Sequence, residues 1–144
     1  MPLPIALVIG AALLAATVVA GLLLRRGDGR AVVVHGDRHV DPADLMRPLG
    51  SQATLVQFST EFCARCPQVR RMLGSVADER AGVVLAEVAL SSRSDLAARY
   101  KVLSTPTTLV VDPEGRIRSR FTGVPARADV LAALAATTPQ EARS

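Results

Sequence analysis

The chain has 144 residues, 49% of them apolar, and carries a formal net charge of +4. That length accommodates one modest domain plus an appendage. The charge comes from sixteen Arg and a single Lys, scattered and without Trp, so no basic stripe with interleaved aromatics marks a nucleic-acid partner. Solvated surface and a membrane flank account for the basic balance.

The first element is apolar. Residues 5–24 form a charge-free run, preceded by Pro2 and Pro4 and followed by Arg25-Arg26. At about 1.5 Å per residue, such a helix covers about 30 Å, the hydrocarbon thickness of a bilayer. A cleavable signal peptide is the alternative, with Val18-Val19-Ala20 as small residues at a cleavage position. Against it, the stretch lacks a positive start and outlasts the usual apolar core of a signal. An uncleaved anchor over residues 1–26 is expected. Arg25, Arg26 and Arg30 follow the helix and no Lys or Arg precedes it, so the positive-inside rule favours a single-pass protein of the plasma membrane with its domain in the cytoplasm. An extracytoplasmic facing is the alternative.

A linker over residues 27–30 leads to a strand at residues 31–34, β-branched and apolar. Asp41-Pro42 reads as an N-cap and first helical residue, opening a helix to about Leu49. Residues 54–59 form the next strand, which leads into the pair Cys63-Ala64-Arg65-Cys66. From Cys63 the spacing of Val69, Met72, Leu73 and Val76 predicts a helix ending before Gly82. Residues 83–90 are nearly continuously apolar, as in a strand buried on both faces, with Glu87 the exception. Ser92 or Ser94 is expected to cap a helix holding Leu96, Ala97 and Tyr100. Strands at residues 107–111 and 116–121 flank the turn Asp112-Pro113-Glu114-Gly115. A final helix spans about 126–136, closing a domain over residues 31–137 before a polar tail at 138–144. Strands alternating with helices imply an α/β domain with a mixed central sheet covered on both faces.

The cysteine pair carries the chemistry. A two-residue loop gains little stability from cross-linking, and covalent haem needs His after the second Cys, where Pro67 stands. A zinc site completed by His35 and His39 is a conceivable alternative; no metal and no organic cofactor is expected. Disulfide exchange is the better reading. A thiolate is the nucleophile, and a helix N-terminus lowers a thiol's pKa to between about 3.5 and 7.5. Cys63 is therefore the expected attacker and Cys66, one turn on, the resolver, with the Arg65 charge beside both sulfurs.

This strand, Cys-x-x-Cys and helix, followed by Tyr100-Lys101-Val102-Leu103-Ser104-Thr105-Pro106-Thr107, resembles the thioredoxin family over about residues 31–136. Asp112-Pro113-Glu114-Gly115-Arg116 and Gly123 match the family's hairpin and following glycine. The resemblance implies a thioredoxin fold behind a transmembrane helix, and a thiol–disulfide oxidoreductase that exchanges electrons with protein dithiols and disulfides and with an electron-donating reductase. It also implies that Pro106 is a cis-proline facing the cysteines and that Thr105 presents backbone to substrate. Phe62, Ala64 and Arg65 replace the family's usual Trp, Gly and Pro. Arg65 for Pro favours the thiolate and a more oxidising disulfide. Gln57 stands where the family keeps a buried Asp, and Glu87 where it keeps Lys. Glu87 is accordingly expected to be buried, hydrogen-bonded to Gln57 and raised in pKa, as proton acceptor for Cys66; an edge-facing or solvent-accessible Glu without a role is the alternative. From another class, a non-catalytic thioredoxin-fold scaffold is the rival function. A second rival is an extracytoplasmic redox protein for disulfide formation or cytochrome maturation.

Overall fold

The apolar run at the N-terminus has no polar face to turn to water, and it forms one continuous helix. In the computed structural model, which describes residues 2–27, 29–34, 36 and 38–137, this is α1, Leu3–Gly27. Its stretch Leu3–Arg26 is long and apolar enough to cross a membrane, and no part of that stretch is buried against the rest of the chain. Asp28 of the linker, His35 of the zinc alternative and the tail from residue 138 lie outside the described residues.

Gly29 starts the domain. Its φ of +78° is a conformation that suits glycine, its N–H donates to Thr122 O at 2.7 Å, and a Cβ there would stand 2.1 Å from Val124 O. Two residues later β1 (Ala31–Val33) pairs antiparallel with β5 (Ile117–Thr122). β5 pairs antiparallel with β4 (Thr107–Val111), β4 antiparallel with β2 (Ala53–Ser59), and β2 parallel with β3 (Val83–Ala89). The sheet order β1-β5-β4-β2-β3 puts β2 and β4 inside, and every residue of both is buried.

Side-chain alternation along these strands divides the core in two. One face carries Val56, Phe58, Leu109 and Val111 beneath Leu45 of α2 (Pro42–Leu45) and Leu96 of α4 (Ser94–Arg99). The other carries Leu55, Val110 and Phe121 against Val69, Leu73 and Val76 of α3 (Cys66–Asp78) and Val130 and Leu134 of α5 (Arg127–Thr137). Each such side chain, fully buried, contributes about 1.5–3 kcal/mol. The expected mixed sheet with helices on both faces, the thioredoxin fold, is what forms.

Four local expectations need correction. β3 is an edge strand rather than one buried on both faces: Val83–Leu85 are half-buried, and Glu87 and Ala89 are exposed. α2 stops at Leu45, well before Leu49, because Met46 turns left-handed at φ 54° and Pro48 keeps the residue before it from continuing a helix. α3 begins at Cys66, not Cys63. Neither serine caps α4: its cap position is Arg93, which makes no side-chain cap bond, and Ser92 Oγ instead donates to Ala89 O.

Candidate active site

The fully buried strand β2 ends at Ser59, and the chain leaves the sheet over residues 60–65 before α3 begins. Cys63 is half-buried in this turn, with its N–H donating to Thr60 O at 3.3 Å. Cys66, 5% exposed, is the first residue of α3. The two are joined as a disulfide with Cα atoms 5.4 Å apart, so Cys63 reaches the helix N-terminus through its sulfur rather than its backbone. Pro67 falls in the first turn, where its missing N–H removes no helical bond. The remaining free N–H groups there, with the helix dipole, favour a thiolate. Arg65 sits exposed at the cap position and makes no side-chain cap bond.

A second loop meets the first. The Thr105–Pro106 peptide is cis, and Thr60 Oγ1 and Thr105 Oγ1 share a hydrogen bond of 3.3 Å. Gly123 N–H donates to Pro106 O at 2.9 Å, tying the same loop to the end of β5. The cysteine loop is anchored on its other side by Glu61 N–H donating to Ser91 Oγ at 3.2 Å. Phe62 and Leu103, 95% and 98% exposed, are large apolar side chains offered to solvent by the cysteine loop and by the segment just before Thr105.

Beneath the disulfide lies Gln57, fully buried, whose Nε2 donates to Cys66 O at 2.9 Å. Its Oε1 has no hydrogen-bond partner among the described residues, and neither does Oγ1 of Thr108, which pairs with Gln57 across β2 and β4. Glu87 is the in-register neighbour of Gln57 on the other side, yet the expected buried Glu87–Gln57 contact is not made. Glu87 is exposed; it accepts from Ser59 Oγ at 3.2 Å and from Arg70 Nη1 at 3.2 Å to each carboxylate oxygen. The reason is the edge position of β3, which lets this carboxylate swing outward to α3. Among the described residues, no three His, Cys, Asp or Glu side chains gather to hold a metal ion.

A family model described as Thioredoxin matches residues 43–136. The chain belongs to the thioredoxin family. The thioredoxin domain is similar in fold to a mutant thioredoxin from Halobacterium salinarum NRC-1, at 17% identity and a TM-score of 0.55, over 62% of this chain and 77% of that one. It is likewise similar to a structure described as a malarial protein, at 19% identity and a TM-score of 0.51, over 60% of this chain and 97% of that one. No curated protein sequence matches the chain. A thioredoxin domain whose Cys63 and Cys66 stand at disulfide distance supports thiol–disulfide redox function.

Sequence reasoning placed Cys63, Cys66, Thr105 and Pro106, and the structure brings their two loops together. It missed Thr60, Thr108 and Arg70. A run of hydroxyl residues, Ser59-Thr60, between a buried strand and the first cysteine was the available signal for Thr60.

Proposed function

We propose that this chain is a membrane-tethered protein-disulfide oxidoreductase. The observation that carries the reading is the asymmetry of the cysteine pair: Cys63 half-buried in a turn, Cys66 buried at the helix start, beside a loop bearing Thr105 and Pro106. Cys63 thiolate attacks a substrate disulfide, forming a mixed disulfide and releasing one substrate thiolate. Cys66 then attacks the Cys63 sulfur, releases the second substrate thiolate and forms the Cys63–Cys66 bond. Two electrons pass to the substrate, and an electron-donating reductase supplies two more to restore the Cys63/Cys66 dithiol. Thr105 backbone holds the substrate segment in extended form, with Phe62 and Leu103 as apolar contacts at its flanks. Arg65 favours the attacking thiolate; Gln57 fixes the Cys66 backbone. The domain faces the cytoplasm, as Arg25, Arg26 and Arg30 after the helix favour, where thiols are kept reduced and the pair works as a reductant.

The test is a Cys66→Ser variant in intact cells. It is expected to accumulate mixed disulfides through Cys63 that dithiothreitol releases; none would mean a binding scaffold. Parallel labelling of Cys63 by a membrane-impermeant thiol reagent, after mild reduction, is expected to fail. Labelling would place the domain outside.

A further inference from the structure

Two adjoining clefts of about 220 Å³ each open on the sheet face covered by α4, and Arg38, Lys101 and Arg120 line both. No Asp or Glu lines either cleft among the described residues. Arg99, at the rim of the first, is already paired with Asp44 at 2.7 Å. The side chains of Arg38 and Lys101 make no hydrogen bond or ion pair among the described residues. Arg120 is held in place by donating to Tyr100 O and to Lys101 O, the latter at 3.2 Å, which leaves further guanidinium donors for the cleft. Desolvation and the facing Arg38 charge both lower the Arg120 pKa. Three cations therefore meet in a concave, partly desolvated place with no carboxylate lining it among the described residues. Ser104 and Thr122 add hydroxyl groups to the second cleft.

We propose that this cleft binds a phosphate group. Arginine's planar fork matches phosphate oxygens two at a time, and an ammonium and hydroxyls complete a tetrahedral set. The source follows from position and rests on the membrane-tethered reading. Val32 pairs directly with Arg120 and follows the end of α1 by five residues, at most about 18 Å of chain. The cleft thus lies within reach of the headgroup layer, and anionic phospholipid enriched on a cytoplasmic leaflet is the phosphate it meets at high effective concentration. Val32 and Val33, 61% and 62% exposed on the adjoining strand, add apolar contact at that surface.

The full chain in nanodiscs tests this by amide hydrogen exchange over residues 100–107 and 117–122. Discs of phosphatidylcholine alone are compared with discs containing phosphatidylglycerol, and with the former plus inorganic phosphate. Phosphatidylglycerol is expected to slow exchange there about tenfold when its effective concentration is ten times Kd, and the Arg38→Gln/Lys101→Gln double variant to lose the slowing while β2 exchanges as before. Equal exchange in all three discs, or slowing that survives the double variant, overturns the site. Slowing by inorganic phosphate but not by phosphatidylglycerol keeps the phosphate chemistry and overturns the lipid source. A chain that does not stay in the discs overturns the tether alone, and inorganic phosphate then tests the cleft on the free chain, where absence of slowing overturns it.

Discussion

At the scale of single residues, the cysteines rest on an unusual floor. Gln57 donates its amide N–H to Cys66 O and leaves Oε1 without a partner among the described residues, opposite Thr108 Oγ1, which has none among them either. A buried polar group without a bond costs about 1–3 kcal/mol. Thr108→Val keeps the shape and removes the oxygen, so it is expected to raise stability by about 1 kcal/mol, read as a higher urea midpoint at unchanged slope. A fall in the midpoint would mean that Thr108 Oγ1 is already satisfied. The resemblance put Gln57 at the family's buried Asp position and Glu87 at its Lys position, and the two are indeed adjacent in register. The direction of the Glu87 side chain was not legible. A seven-residue apolar strand reads alike whether one or both of its edges are paired, and only strand order makes β3 an edge. The Thr60–Thr105 bond joins residues 45 apart and leaves no local trace.

Among the elements, the shortest helix depends most on its partner. α2 has four residues and is held by Asp44, which is buried and accepts from Tyr100 Oη and from Arg99 Nη1 of α4 at 2.7 Å. Burial pushes the Asp44 carboxyl up, but hydrogen bonds from Tyr100 and Arg99 and the charges of Arg99 and Arg93 outweigh it, leaving the pKa below its ordinary value. Folding therefore favours the charged form. Its stabilisation is complete above the unfolded pKa of about 3.9 and drains away as pH falls through the lower folded value. Asp44→Asn is expected to lower the melting temperature at pH 7, with the gap to the parent chain closing below about pH 4. A gap that stays constant to pH 3 would assign the loss to packing alone. The start of α2 was plain from Asp41-Pro42, whose carboxylate accepts from Ala43 N–H at 2.9 Å. Its end was only partly so: Pro48 is a stop signal, but the left-handed Met46 that ends the helix two residues earlier carries no glycine signature. The hairpin from β4 to β5 was the most readable element, since Asp112 Oδ1 accepts from both Glu114 and Arg116 N–H groups as a turn aspartate should.

For the whole molecule, the motif spacing was enough to place the domain in its family, while the place of β1 beside β5 depends on pairing over nearly ninety residues. That pairing, together with Gly29 bonded to Thr122 O, means the folded domain begins almost where α1 ends. With α1 in a bilayer, such a short leash fixes an altitude. On the proposed reading the cysteines sweep a thin shell near the headgroups, and partners are sorted by how high they carry their disulfide before any side chain recognises them. Inserting about ten Gly/Ser residues after Arg26 adds a root-mean-square reach of about 18 Å. It is expected to leave reduction of a small soluble disulfide unchanged and to widen the set of proteins trapped by Cys66→Ser; an unchanged set would mean that recognition, not reach, does the sorting. On the proposed membrane-tethered reading, α1 and Gly29 act as a ruler, and the distance they allow becomes part of how this thioredoxin domain selects its partners.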